Sequence, residues 1–188
     1  SGRSMRDLFA ELVRLHKEEG LSFKNVIVFG SYEFYPLSDA SLGSMAQIQS
    51  QLLDHVDIKT ENVYTFPLDL PRETVFSFCE EYEKTIAQVG GIDIQVLGIG
   101  QCGNIAMNEP GTQSNSYTRL VIMDNNSRMD VKSLFGNAEQ VPNCAITLGI
   151  NTILQAKEVI LMAFGQHKAS IVKQAIEDVA SATCPASY

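Results

Sequence analysis

The chain has 188 residues, and 45% of them are hydrophobic, so it can bury one sizeable apolar core. Its net charge of −8 does not suit a protein that binds nucleic acid through the phosphate backbone. The sequence also has no run of roughly 18 apolar residues, the length that a membrane span requires. We therefore expect one domain over residues 1–188, with neither nucleic acid nor a membrane as its partner.

The four cysteines lie far apart, with no CxxC pair and no histidine at metal-ligand spacing. They are Cys79, Cys102, Cys144 and Cys184. Isolated thiols of this kind are typical of reduced cysteines rather than of disulfides or a zinc site. The polar N-terminus shows no signal peptide. The sequence thus predicts a cytoplasmic protein with no metal and no cofactor.

Helical and extended patterns alternate along the whole chain. The first helix is predicted over 5–19, where leucines recur at helical spacing between Ser4 as N-cap and Gly20 as the stop. Further helices are predicted around 45–53, 75–86 and 167–180, and strands over 25–29, 62–66, 93–99, 118–123, 145–148 and 158–164. This alternation is typical of an α/β fold with a mainly parallel sheet that helices cover on both faces.

In such a sheet, ligands bind beyond the carboxyl ends of the strands. The segment GIGQCGNIAMNEPG at 98–111 directly follows a strongly predicted buried strand and is rich in glycine and polar side chains. A tight turn capped by Asn108 would explain the glycines. It would not explain a cysteine, two asparagines and a glutamate in one loop, so we favour a small-molecule site.

Four other features each have a functional and a structural interpretation. Residues 1–4 could form an anion cradle before the first helix, or be an exposed terminus with a capping serine. Lys168 could bind phosphate as a point charge, or be a solvated lysine. Glu33 could be an acid/base or an exposed loop carboxylate. Cys102 could be a nucleophile, although no histidine lies near it in the sequence.

The two ends of the chain are abrupt. A phosphate loop needs a strand before it to hold it in place, and no strand precedes residues 1–4, while the chain stops at Pro185–Tyr188. We therefore expect this chain to be an excised part of a longer protein. The first strand of the sheet is then missing from the chain.

Several motifs resemble those of the glucosamine-6-phosphate deaminase/isomerase family. The 98–111 loop is similar to the family pattern GIGxDGHIAFNEPG, and DHVDIKTEN at 54–62 resembles DHVDIPAEN. VPNCAITLG at 141–149 and GQHKA at 165–169 resemble VPxxALTVG and GxxKA. The ends fit as well, since residues 1–5 look like the tail of the TGxTP phosphate loop and PASY resembles the segment before the last strand. The resemblance covers essentially the whole chain in order.

The resemblance implies a Rossmann-like three-layer α/β/α sandwich and a hexosamine phosphate substrate. In this family, the enzyme opens the ring of glucosamine 6-phosphate, transfers a proton between C1 and C2, and releases ammonia. Family members commonly form homo-oligomers, and the resemblance implies the same here.

The resemblance also shows where the chemistry departs from the family pattern. Tyr32, Cys102 and Asn104 match an aspartate acid/base, a second aspartate and the ring-opening histidine. A phenol with an unperturbed pKa of about 10 is a poor base near neutrality, and an amide cannot shuttle protons. Glu109 keeps the last carboxylate of the ring-opening group, and Glu33 or Glu109 could serve as a relocated acid/base.

The phosphate-binding elements match the family better. They are Ser1, Gly2, Ser4 and Lys168. Arg119 matches an arginine that serves an effector site in regulated members, so it is a candidate effector or substrate contact. A further phosphate arginine of the family has no clear counterpart, although Arg128 lies nearby.

Three hypotheses follow from these matches. The chain is a divergent deaminase/isomerase with relocated acid/base groups, or it is a pseudoenzyme that senses a sugar phosphate for a larger protein. The third is a 6-phosphogluconolactonase-like hydrolase, a branch that shares the fold and the phosphate site. The substitution at Asn104 counts against the lactonase as much as against the deaminase, and NEP at 108–110 with DHVDI favours the deaminase.

Overall fold

Helices and strands alternate in the structure, a computed structural model that describes residues 3–188 and their side chains from Met5 onward. The α-helices in this range are α1 (Arg3–Glu19), α2 (Ser44–Gln51), α3 (Val75–Gln88), α4 (Asn125–Phe135), α5 (Ile150–Leu154) and α6 (Ala169–Glu177). The strands are β1 (Val28–Phe29), β2 (Tyr32–Tyr35), β3 (Val63–Tyr64), β4 (Ile94–Gly98), β5 (Arg119–Ile122), β6 (Cys144–Thr147) and β7 (Glu158–Met162). Short 3-10 helices lie at Ala40–Leu42, Leu53–His55, Thr60–Asn62, Arg72–Thr74, Gln166–Lys168 and Pro185–Ser187.

The strands pair in three groups. β1 pairs with β3 and β4 pairs with β7, and both pairs are parallel. β6 lies between β2 and β5 and runs antiparallel to both. The parallel pairs and the alternating helices match the predicted α/β class, whereas the antiparallel group is an addition to the predicted sheet.

The packing shows three layers around β4. Successive side chains of a strand point to opposite faces. On one face, Val96 packs in a cluster with Met5 and Phe9 of α1. On the other face, Leu97 packs in a cluster with Cys79 and Ile86 of α3. Helices therefore cover both faces, which is the arrangement that an α/β sandwich requires.

The antiparallel group separates two parts of the core. Ile146 of β6 and Tyr35 of β2 lie in the same cluster as α3. On the opposite face, Phe34 of β2 packs edge-on against Phe135 of α4, with ring centroids 5.1 Å apart, in a second cluster that includes Ala145. The group thus joins α4 to the rest of the molecule and brings the start of β5 close to the start of β2.

Two local features differ from the sequence-based expectation. Ser4 lies inside α1, which begins at Arg3, so it is not the N-cap of that helix. α4 was not predicted because its polar sequence NNSRMDVKSLF has little apolar periodicity. Its N-terminus is instead defined by Asp124, whose side chain accepts a hydrogen bond from the Ser127 amide.

Candidate sugar-phosphate site

The loop between β4 and β5 is the centre of the candidate site. The Asn108 side chain is fully buried within it and makes three hydrogen bonds. Its Nδ2 donates to the carbonyls of Ile105 at 3.1 Å and Leu148 at 2.8 Å. Its Oδ1 accepts from the Arg119 guanidinium at 3.0 Å. Asn108 therefore links the loop to the end of β6 and fixes one side of Arg119.

A row of side chains from the antiparallel group lies beneath this loop. The pairing register places Tyr32, Thr147 and Arg119 side by side on β2, β6 and β5. Directly paired residues point to the same face of a sheet. Thr147 also accepts a hydrogen bond from the Met107 amide at 3.2 Å, which attaches the loop to the middle of the row.

Glu109 and Arg119 line one open cavity of about 670 Å³, together with Thr112 and Ser116. Both carboxylate oxygens of Glu109 accept from the Asp124 amide at 3.0 Å. Arg119 donates to Asn108, to the Tyr117 carbonyl at 3.2 Å and to the Thr112 hydroxyl at 3.4 Å.

The Arg119 guanidinium is only partly exposed, and this burial lowers its pKa. Among residues 5–188, no carboxylate lies within 4 Å of it. It is thus a partly desolvated cation whose hydrogen-bond partners are neutral, and such a group favours an anionic ligand.

Asn104 and Cys102 lie in the first half of the loop, and both are partly buried. The Asn104 side chain lies directly over Gly100, because a Cβ placed at Gly100 would be 1.8 Å from its Oδ1. Gly103 has φ +78°, and a Cβ there would be 2.5 Å from the Cys184 sulfur. The loop is therefore packed tightly against the C-terminal segment, and Ala186 also donates a backbone hydrogen bond to Gly103 at 2.8 Å.

Lys168 lies at the same edge of the molecule as this loop. Gly98 is paired with Met162 in the parallel β4–β7 ladder, so the chain leaves both strands at one edge. Lys168 immediately precedes α6, is partly exposed, and forms no ion pair within 4 Å in the part of the chain with described side chains. One turn later, Ile171 contacts Gly103.

Glu33 occupies a different environment from these residues. Its carboxylate is 1% exposed and accepts from the amides of Phe34 at 3.0 Å, Ser44 at 2.7 Å and Met45 at 3.0 Å. Two of these amides belong to the first turn of α2, so the Glu33 carboxylate caps the N-terminus of this helix. This geometry favours a structural cap over the acid/base role considered from sequence.

Of the predicted phosphate loop, Ser1 and Gly2 lie outside the described residues, and Ser4 is described only as part of α1. Among the described residues, no group of three or more His, Cys, Asp or Glu is arranged to hold a metal ion. Nor does any described helix combine the length and apolarity needed to cross a membrane.

From the sequence, Asn108 was either the cap of a tight turn or one of the polar side chains of a ligand loop, and Thr147 was not singled out. Their contribution depends on contacts across 40 residues of chain, to Leu148 and Met107 respectively, and periodicity carries no signal of such contacts. The NEP sequence at 108–110 was the only local indication.

The whole chain, residues 1–188, matches the family model described as glucosamine-6-phosphate isomerases/6-phosphogluconolactonase. The chain belongs to this family. A glucosamine-6-phosphate deaminase-like protein of Bacteroides thetaiotaomicron is 49% identical over 188 residues, which are all of this chain and 28% of that protein. The glucosamine-6-phosphate deaminase of Pseudoalteromonas translucida is 36% identical over all of this chain and 70% of its own length.

Solved structures of the family have the same fold. A monomeric glucosamine-6-phosphate deaminase superposes with a TM-score of 0.95 and 32% identity, over all of this chain and 77% of its own. The 6-phosphogluconolactonase of Thermotoga maritima superposes with a TM-score of 0.73 and 19% identity, over all of this chain and 76% of its own, and shows the shared fold alone.

Proposed function

We propose that this family member binds a hexose or hexosamine 6-phosphate in the cavity between the 98–111 loop and the start of β5. The observation that carries the proposal is Arg119, a partly buried guanidinium without a carboxylate partner among the described side chains, in the same cavity as Glu109. An anionic ligand would compensate its lost hydration through charge-assisted hydrogen bonds. Lys168, beside the loop, is the proposed second phosphate contact.

A ligand of the deaminase branch is better supported than a ligand of the lactonase branch. Relatives named glucosamine-6-phosphate deaminase match the whole chain at 36–38% identity. The solved lactonases of Thermotoga maritima and Trypanosoma cruzi are 19% and 22% identical and support the fold alone. The bound molecule is therefore expected to be an amino-sugar phosphate or the sugar phosphate that its deamination produces.

The ring-opening and proton-transfer steps are proposed to be weak or absent. Tyr32, Cys102 and Asn104 stand where the family pattern has two aspartates and a histidine. Each acid/base group typically contributes about 10²–10⁴-fold to a rate. Glu109 remains, but both of its oxygens accept from the Asp124 amide, so the backbone at the start of α4 already holds this carboxylate. The protein would then act mainly as a sugar-phosphate sensor within a longer polypeptide.

Calorimetry on the full-length protein with glucosamine 6-phosphate tests the binding site. We expect Arg119→Gln to weaken binding by about tenfold to a hundredfold, because charged hydrogen bonds are worth roughly 1.5–3 kcal/mol. Arg72→Gln is the matched control, since Arg72 is exposed and lies outside the cavity. Equal affinities for the wild type and Arg119→Gln would contradict the site.

An assay for ammonia release separates the sensor from a working deaminase. The wild-type protein should bind glucosamine 6-phosphate yet release ammonia far more slowly than the deaminase of Pseudoalteromonas translucida measured in parallel. Comparable turnover would overturn the proposed loss of catalysis and leave the binding site intact. A cytoplasmic location, a homo-oligomeric state and a single domain over 1–188 stay predictions.

A further inference from the structure

A carboxylate on α3 holds the backbone immediately before Arg119. One oxygen of Glu83, Oε1, accepts from the Thr118 amide at 2.7 Å and from the Thr152 hydroxyl at 2.6 Å. The Thr118 hydroxyl donates to the same oxygen. Thr118 and Thr152 are 7% and 3% exposed, so these bonds are shielded from water. Hydrogen bonds to an ionised acceptor are roughly twice as strong as neutral ones.

The segment before Arg119 is also held from the side of α5. The Ser116 hydroxyl accepts from the Ile150 amide at 3.0 Å, and its carbonyl accepts from the Asn151 amide at 2.9 Å. Gly149 allows this approach, because a Cβ there would be 2.1 Å from the Ser116 carbonyl oxygen. Residues 116–118 are thus clamped between α3 and α5.

Arg119 directly follows this clamped stretch, and its own hydrogen-bond partners are neutral. The Asn108 amide, the Thr112 hydroxyl and the Tyr117 carbonyl accept from it, and the last of these lies in the clamped stretch. Thr118, the residue just before β5, donates to Glu83, whereas Arg119 lines the cavity. The two residues are adjacent in the chain, so the position of Thr118 constrains that of Arg119.

Glu83 does not itself belong to the cavity. It is not among the lining residues, and its Oε1 is occupied by three donors from the protein. Cys79, one turn earlier on α3, is buried, so this part of the helix packs against the core. Burial, with a smaller contribution from the charge of Glu83, raises the pKa of the Cys79 thiol to about 11.

We propose that Glu83 is a positioning residue that sets Arg119 for an anionic ligand. The inference rests on the proposed sugar-phosphate site and adds to it a residue outside the cavity. Replacing the carboxylate by an amide removes the charge that both threonines use, so Thr118, the residue next to Arg119, is held less firmly. The consequence is weaker binding of the phosphate, transmitted through Arg119 and not through any direct contact.

A double-mutant cycle by calorimetry with glucosamine 6-phosphate on the full-length protein tests the inference. Glu83→Gln should weaken binding by about threefold to thirtyfold, the range usual for residues coupled to a site through others. Combined with Arg119→Gln it should add less than about twofold, because the residue through which it acts is gone. Glu81→Gln, an exposed carboxylate on the same helix, is the control and should leave binding unchanged.

A second variant guards against a folding defect. Thr118→Val keeps the shape and the backbone amide but removes one donor to Glu83, and it should weaken binding in the same direction, again only when Arg119 is present. Circular dichroism checks that each variant is folded. If Glu83→Gln does not fold, the double-mutant cycle of Thr118→Val with Arg119→Gln tests the positioning role instead.

The outcomes separate the two proposals. If Arg119→Gln weakens binding but Glu83→Gln or Thr118→Val does not, or if the effects add fully, the positioning role is wrong and the site stands. If Arg119→Gln has no effect, the proposed site is wrong, and the positioning role fails with it.

Discussion

At the scale of single residues, the buried Glu33 carboxylate is expected to contribute stability. Replacing it by glutamine puts an amide N–H among the amides of Phe34, Ser44 and Met45, which need an acceptor. We expect Glu33→Gln to lower the free energy of unfolding by about 1–3 kcal/mol, the usual loss for a buried and unsatisfied group. Urea denaturation measures it.

The same variant separates the cap from an acid/base. Glu61→Gln, an exposed carboxylate elsewhere in the chain, should change stability by less than about 0.5 kcal/mol and serves as the control. A Glu33→Gln protein of full stability that had lost ammonia release would instead support catalysis by Glu33.

The sequence could name this residue but not its role. From the sequence, Glu33 was either an acid/base or an exposed loop carboxylate, and a glutamate can equally well cap a helix. The role of Glu33 is decided by the approach of α2, whose first residues are 11 and 12 positions away in the chain. That approach follows from tertiary packing, which no local pattern contains.

At the scale of elements, the loop between β4 and β5 depends on a close contact between Gly100 and Asn104. A methyl group at Gly100 would meet the Asn104 carboxamide at 1.8 Å. We expect Gly100→Ala to cost about 1–3 kcal/mol of unfolding free energy, as overpacking usually does. Asn104→Ala removes the obstructing group, so the same glycine change should cost much less in that background.

Thermal denaturation of the two single variants and the double variant measures this coupling. Gly98→Ala is the control, because nothing lies within 4 Å of a Cβ at Gly98. An equal cost of Gly100→Ala with and without Asn104 would show that the loop does not hold the asparagine over the glycine.

The elements themselves were predictable to different degrees. α1 and α3 carry a clear apolar periodicity, and the structure has helices at both places. The sequence pattern predicts no strand at β2, which only Gly30 and Ser31 separate from β1. Its strand character comes from pairing with β6, more than a hundred residues later, so local sequence gives little sign of it.

At the scale of the whole molecule, β7 is an apolar strand with little cover. Val159, Ile160 and Leu161 are 44%, 43% and 38% exposed, and consecutive residues face opposite sides of the sheet. β7 is hydrogen-bonded only to β4 among the described strands. An exposed apolar edge of this kind promotes association with further strands. We therefore expect the 188-residue chain to self-associate through β7.

A single charge on this edge should reduce the association. Ile160→Lys introduces a lysine where natural edge strands commonly carry one, and it should lower the weight-average mass in light scattering at high protein concentration. Ile176→Lys adds the same charge at another exposed isoleucine, 74% exposed and located on α6 rather than on a strand edge. An equal reduction by both variants would mean that the loss of any exposed isoleucine lowers association, because one added positive charge on a chain of net charge −8 weakens the repulsion between chains. A reduction confined to Ile160→Lys would assign it to the β7 edge, because only there does the charged side chain lie on a strand whose backbone groups are available for pairing.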